Sequence, residues 1–311
     1  MNDRIAIVGG GAIGLLLAAH LARAGLVVTL LCRTDEQAEA IRQSGVVVER
    51  PGEEHPWATP VETRVFRAER ALPAPWAILC VKAADVAPVL KAWPPGPGSE
   101  AVVALQNGLS AARELLQAVG PCRALVGVTR LGAIRMGRAR VRQGGWGDTL
   151  IGPLDSRATN RAAQLTGLLA DVGLEVRALP DGRAALWWKA AINAAINPLT
   201  AVLGVANGEL LIRTEWHWLM RAAVDETVRA AEEDGVVLKA SALWEDVLDT
   251  LRRTAANRSS MLVDVEAGRP TELDAITGEI LGASERQGLP AEANRALYHL
   301  VLARIGTAGP R

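Results

Sequence analysis

"IAIVGGGAIGLLLAAHLARAG", residues 5–25, decides how the chain begins to fold. Its first four residues are apolar, which suits a strand buried on both faces. Gly9, Gly11 and Gly14 then set the spacing GxGxxG, and the Leu/Ala run behind them is helical in character and closes on Gly25. Strand, glycine turn and helix in that order open a βαβ unit. Glycines there permit the tight turn, the approach of a pyrophosphate to backbone, and close packing of helix on strand. The helix start, with Ala12 and Ile13 behind Gly11, offers unpaired N–H groups and the positive end of the helix dipole. The spacing alone is common; its place directly after a strand points to dinucleotide binding rather than to a turn that serves only the fold. The stretch is not read as a membrane span or leader, because "GGGAIG", His20 and Arg23 interrupt it and no small-residue cleavage pattern follows.

Working outward, "LVVTLLC", "WAILCVK", "AVVALQN" and "RALVGVT" read as further buried strands, and "DEQAEAIRQSG" as a helix ending in glycine. The alternation predicts an α/β fold with a Rossmann-type, doubly wound, mostly parallel sheet. "ARVRQGGWGDTLIGP" is expected to add strands at the sheet edge, and "AWPPGPGSE" to be a surface loop. After "LPDGR", residues 179–183, strand-like runs give out and the pattern is helical to the end. At 311 residues the chain suits two domains. The expected division is 1–180 for an NADP(H)-binding Rossmann domain and 181–311 for an all-α domain carrying substrate and catalysis.

Composition narrows the function classes. Basic and acidic residues balance at 34 each and half the chain is hydrophobic, so there is no electrostatic case for nucleic acid or an anionic membrane. Cys32, Cys80 and Cys122 form no CxxC pair and the four histidines no ligand spacing, so neither disulfides nor a metal site is expected. The expected setting is a reducing one, the cytoplasm.

Strand ends carry the candidate ligand contacts. Arg33 ends the second strand, where an acidic residue would suit ribose hydroxyls and a guanidinium suits a 2′-phosphate. Lys82 follows another strand and can add a second cation, so NADP(H) is favoured over NAD(H), with Asp35 close behind Arg33 as the counter-indication. Asn107 and Gly108 follow the strand "VVAL"; they form either a plain turn or a ligand contact.

"WWKAAINAAINPLT", residues 187–200, reads as a helix meant for burial, yet Lys189, Asn193 and Asn197 recur at every fourth position. At about 100° per residue they share one broad face. An ammonium set beside a carbonyl that accepts hydride can stabilise the developing oxygen charge and protonate it. The alternative is a lysine that snorkels to solvent above asparagines that bridge helices. Pro198 predicts a kink or helix end at Asn197. A second polar cluster, "NRSSMLVDVEAGRPTELDAITG", offers Asn257, Ser259, Ser260, Glu272 and Asp274. Its serines suit either a substrate carboxylate or helix capping, and Thr271 with the acids behind it is also how helices start.

On "IAIVGGGAIG", "VKAADV", "LQNGL", "WWKAAINAAINPLTAVLGVANGELL" and "NRSSMLVDVEAGRPTELDAITGEIL" the chain resembles the ketopantoate reductase (2-dehydropantoate 2-reductase) family over nearly its full length. The resemblance implies a Rossmann domain joined to a helical domain, with the active site in the cleft between them. It also implies NADPH-dependent reduction of 2-dehydropantoate to (R)-pantoate on the route to pantothenate and coenzyme A. By motif, Lys189 matches the general acid, Asn193 and Asn197 substrate-binding asparagines, and Asn107 the asparagine between nicotinamide and substrate. Ser260 matches the serine on the substrate carboxylate, Glu272 the glutamate that orients substrate, and Arg33 with Lys82 the pair that favours the 2′-phosphate. Two departures stand out. "RLGAIRMGRARVRQGG" has Met136-Gly137 and no histidine where a Pro-Gly turn and a His-x-Gly pattern are common, and Ala275 and Thr277 replace a frequent Tyr and Asn. Alternatives at this stage are a reductase of the same architecture for a related 2-oxo or 3-hydroxy acid, and a non-catalytic NADPH-binding sensor. Trp216 and Trp218 suit either core or a homodimer interface.

Overall fold

The computed structural model describes residues 4–66, 74–96, 98–144 and 147–307. The chain divides into two compact units, one of Met1–Gln106 with Ala111–Gly182, the other of Asn107–Ser110 with Arg183–Arg311.

The first unit begins β1 (Arg4–Val8), α1 (Ala12–Arg23), β2 (Val27–Cys32), α2 (Asp35–Ser44), β3 (Val46–Glu49), β4 (Trp57–Thr59), β5 (Glu62–Val65) and β6 (Trp76–Leu79). It continues with α3 (Val86–Ala92), β7 (Ala101–Ala104), α4 (Ser110–Val119), β8 (Ala124–Thr129), β9 (Ala133–Arg135), β10 (Arg140–Gln143), β11 (Thr149–Pro153), α5 (Thr159–Asp171) and β12 (Val176–Ala178). The main sheet has the order β12-β11-β8-β7-β6-β1-β2-β5. Strands β5 to β8 across that sheet, with β2 and β1, are mutually parallel; β11 pairs antiparallel with β8 and β12 pairs parallel with β11, so these two run opposite to the rest. All five strands expected from apolar runs lie in it. They are buried on both faces because helices cover the sheet, which is why they read as continuous apolar runs.

The edge-strand expectation needs correcting. Of "ARVRQGGWGDTLIGP", β10 leaves the main sheet for a second one, ordered β4-β3-β10-β9, and β11 sits inside the main sheet because β12 pairs beyond it. Gly145 and Trp146 lie outside the described residues. Helix α1 packs on this second sheet as well as on the first, so Leu15, Leu16 and Ala19 share a core with Val46, Val48 and Val141. In "AWPPGPGSE" Pro94 and Gly98 are exposed, but Ser99 is buried and Trp93 is only 1% exposed and belongs to the core; Pro97 lies outside the described residues.

The second unit is helical: α6 (Gly182–Leu203), α7 (Asn207–Ile212), α8 (His217–Ala231), α9 (Ala240–Arg253), α10 (Ser260–Glu266), α11 (Glu279–Arg286) and α12 (Glu292–Thr307). Ala191, Ile192, Ala195, Ile196 and Leu199 of α6 bury against Leu210, Met220, Val224, Val247 and Leu297. The helix does not end at Asn197; it runs through Pro198 to Leu203. Losing one N–H there costs about 3 kcal/mol, and the burial of Leu199 and Ala201 just beyond offsets it. Trp216 packs against the unit's core, whereas Trp218 is 68% exposed.

Candidate functional site

In the first unit the sheet reverses its strand order at β1 and β6, the place where open α/β sheets leave a crevice beyond their carboxyl ends. The glycine turn falls there. Gly9 has φ +110°, its N–H donates to Leu31 O at 3.0 Å, and a Cβ on it would lie 2.8 Å from Val81 Cγ1. Gly14 is tighter: a Cβ would sit 1.9 Å from Gly9 O. The fold itself demands those two. Gly11 is different, because its φ is −74° and the nearest atom to an added Cβ is Cys80 O at 3.6 Å. Among the described residues no contact requires a glycine at Gly11, so its position leaves room beside the backbone. It is also the N-cap of α1, with no side-chain cap and no acidic residue in the first turn, so the helix presents its N–H groups beside Ala12 and Ile13 uncapped.

The Gln106 amide donates to Leu79 O at 2.8 Å and Val81 O at 3.0 Å and fixes the end of β6, while Gln37 Nε2 donates to Gly10 O at 2.7 Å. Beside the turn lies a cavity of about 300 Å³ whose walls include Gly9, Phe66, Val81 and Val89, with Arg33 and Asp85 as its charged members. Arg33 and Lys82 are exposed at the ends of β2 and β6; Lys82 precedes a 3-10 turn, Ala83–Asp85. Burial pushes the Cys80 thiol up to about 12 and that of Cys32 up to about 11, so both stay protonated and serve as packing groups.

In the second unit α6 carries Lys189 and Asn193 half-buried and Asn197 buried, opposite the face that enters the core. Two indoles fix its rotation: Trp187 Nε1 donates to Asp234 Oδ2 and Trp188 Nε1 to Asp246 Oδ2, each at 2.8 Å. Thr200 Oγ1 lies 2.9 Å from the Asn197 carbonyl and 2.7 Å from the Ser259 hydroxyl, which accepts from the Leu262 amide at 3.1 Å. Ser259 is therefore the cap of α10 and the link to α6, and Ser260 is the exposed first residue of that helix. Asn257 is exposed; its carbonyl accepts from Asn207 N at 2.9 Å.

Asn107 and Glu272 come together, with Asn107 Nδ2 donating to Glu272 Oε2 at 2.8 Å. A π turn, Asp274–Gly278, follows Glu272, and its Ala275 carbonyl accepts from Leu109 N at 3.0 Å. Gly108 lies between, at φ +94°, so close that a Cβ would come 2.3 Å from Ala275 O. Tyr298 donates from its hydroxyl to Asp274 Oδ1 at 2.5 Å, a bond that, with burial, holds the phenol above its usual pKa. Thr200, the π turn and Tyr298 escape sequence reading; the i, i+4 spacing of Asn193, Asn197 and Ala201 brackets Thr200 without marking it.

Among the described residues no group of three or more His, Cys, Asp or Glu could hold a metal, and no helix is long and apolar enough to cross a membrane. A Rossmann-type sheet with an open glycine turn, followed by a helical unit bearing lysine, asparagine and glutamate, defines the class of two-unit oxidoreductases. Residues 5–156 match the family described as Ketopantoate reductase PanE/ApbA, and residues 181–304 match its C-terminal counterpart. A 2-dehydropantoate 2-reductase of Archaeoglobus fulgidus is 32% identical over 299 residues, covering 96% of this chain and 97% of the relative. The crystal structure of a probable 2-dehydropantoate 2-reductase from Bacillus subtilis has a TM-score of 0.83 at 30% identity, over 97% of this chain and 99% of that one. The ternary complex of D-mandelate dehydrogenase with NADH and anilino(oxo)acetate has a TM-score of 0.89 at 21% identity, over 99% of this chain and 100% of that one, a likeness of fold. The chain belongs to the ketopantoate reductase family and is an oxidoreductase.

Proposed function

We propose that this enzyme reduces 2-dehydropantoate to (R)-pantoate with NADPH, in the cytoplasm, on the route to pantothenate and coenzyme A. The observation that carries the reading is the Asn107–Glu272 bond at 2.8 Å, supported by the polar face of α6 in the same unit. The residues present fit a dinucleotide, since Gly11 keeps clear the space a Cβ would fill at an uncapped helix start. Arg33 and Lys82 would hold the 2′-phosphate through charge-assisted hydrogen bonds. When bound, the dihydronicotinamide supplies the hydride that reduces the ketone carbon.

The remaining work belongs to side chains. As the carbonyl oxygen gains negative charge, the Lys189 ammonium stabilises it and donates a proton, giving the secondary alcohol; the neutral amine then regains a proton from water. Asn193 and Asn197 hold substrate oxygens. Ser260 contacts the carboxylate, and Glu272 orients the substrate hydroxyl while its other oxygen holds Asn107. Lys189→Ala is expected to lower turnover by about 10²- to 10⁴-fold with NADPH binding retained. The test is NADPH oxidation with ketopantoate, followed by the cofactor's near-ultraviolet absorbance and repeated with NADH. Turnover with NADPH well above NADH supports the reading; near-normal turnover in Lys189→Ala removes the lysine from its role.

A further inference from the structure

The cavity beside the glycine turn has two charged members of opposite sign, Arg33 at the end of β2 and Asp85 at the start of α3. Arg33 is accounted for by a phosphate. Asp85 is not accounted for by the fold. It ends the 3-10 turn that runs into α3, with helical backbone angles, and its side chain caps no amide of that helix. Among the described residues its half-buried carboxylate has no hydrogen-bond or ion-pair partner. An acceptor of this kind, left unused on the wall of an apolar slot, is matched to a flat ligand with N–H groups at its edge.

Gly9 lines the same cavity, so a nucleotide whose pyrophosphate meets the glycine turn has its base end at these walls. Val81 and Phe66 with Pro88 and Val89 give faces for a purine ring. We propose that Asp85 selects the base: its carboxylate accepts a hydrogen bond from the 6-amino group of adenine. A 6-oxo purine would set a carbonyl oxygen against the same carboxylate, acceptor against acceptor, and be rejected. This rests on the dinucleotide reading above and adds to it which end of the base is recognised and by which residue.

The experiment compares two reduced cofactors that differ only at that group, NADPH and nicotinamide hypoxanthine dinucleotide phosphate. Binding is read from dihydronicotinamide fluorescence in the native protein and in Asp85→Asn. Among the described residues the Asp85 side chain makes no bond within the fold, and asparagine is close to isosteric, so the variant is expected to fold. The native protein should bind NADPH about 10- to 100-fold more tightly than the hypoxanthine analogue, the worth of one hydrogen bond to a charged group. Asp85→Asn, whose amide can donate to the 6-oxo group, should abolish or invert that ratio. An unchanged ratio in the variant, or no discrimination by the native protein, overturns the proposal while leaving cofactor binding in place. A variant that keeps the base ratio but tightens NADPH relative to NADH overturns it too, by putting Asp85 beside the 2′-phosphate. Failure of the native protein to bind either cofactor would instead bring down the dinucleotide reading itself.

Discussion

Replacing Gly108 by alanine tests whether the loop after β7 is set by its fit to the π turn. Two costs follow from the geometry. At φ +94° an alanine is strained by about 1–2 kcal/mol. The new Cβ would also lie 2.3 Å from Ala275 O and 2.8 Å from the Ala275 carbonyl carbon, both backbone, so the neighbour cannot swing aside. Overpacking of that sort costs about 1–3 kcal/mol, for a total of about 2–5 kcal/mol. Relief requires the loop to back away, which breaks the Leu109 N–Ala275 O bond and draws Asn107 from Glu272. A displacement near 1 Å at such a contact lowers turnover by about 10²-fold. Urea unfolding at constant slope gives the first quantity and steady-state NADPH oxidation the second. A Gly108→Ala protein within about 0.5 kcal/mol of the native one, with normal turnover, would refute the claim that this contact sets Asn107.

Other consequences concern the first unit. Gly11→Ala should fold with stability within about 1 kcal/mol of native, since its Cβ meets only Cys80 O at 3.6 Å, yet lose NADPH affinity tenfold or more (about 1.4 kcal/mol). Gly14→Ala should instead fail on stability, its Cβ lying 1.9 Å from Gly9 O; thermal melts with and without NADPH separate the two. His20 stands edge-on to Trp57 at 5.1 Å, and burial, then the Arg50 charge, lowers its pKa from 6.5 to about 4. The unfolded chain therefore takes up a proton below pH 6.5 that the folded one refuses until about 4, so stability present above 6.5 is lost as pH falls through that window. Discounted for partial exposure the loss is about 1–2 kcal/mol. His20→Phe should flatten that pH dependence in urea melts, and equal slopes in both proteins would exclude His20 as its source.

Much of the main sheet is legible because its signals are local. An apolar run, a glycine turn and a helical run each declare themselves within a dozen residues, as from Ile5 to Cys32. The second sheet does not. β3 and β4 are short, and β3 finds its parallel partner β10 roughly ninety residues on, at Val47 and Arg140, so the pairing leaves no mark in either stretch. β5, "ETRV", is a polar edge strand that reads as loop. In the candidate site, the spacing of Lys189, Asn193 and Asn197 is visible because a helix enforces it. The Asn107–Glu272 pair spans 165 positions and is made by tertiary structure alone. So is the π turn, where an amide from elsewhere in the chain takes the Ala275 carbonyl. Pro198 misleads for the same reason: local preference argues for a helix end, and packing on both sides overrides it.

The two indole bonds of α6 bear on how such proteins diverge. Adjacent residues on a helix point about 100° apart, so Trp187 and Trp188 grip two different partners, Asp234 and Asp246, and neither grip can stand in for the other. A lineage that loses one tryptophan leaves a half-buried carboxylate stranded, and a lineage that loses one aspartate leaves an indole N–H without its acceptor. Each pair is thus inherited as a unit. In homologues the members of a pair are expected to disappear together, while Asn193 and Asn197, proposed to hold substrate oxygens, are expected to change with what the enzyme reduces. The history of the scaffold and the history of its chemistry would then be written at neighbouring positions of a single helix.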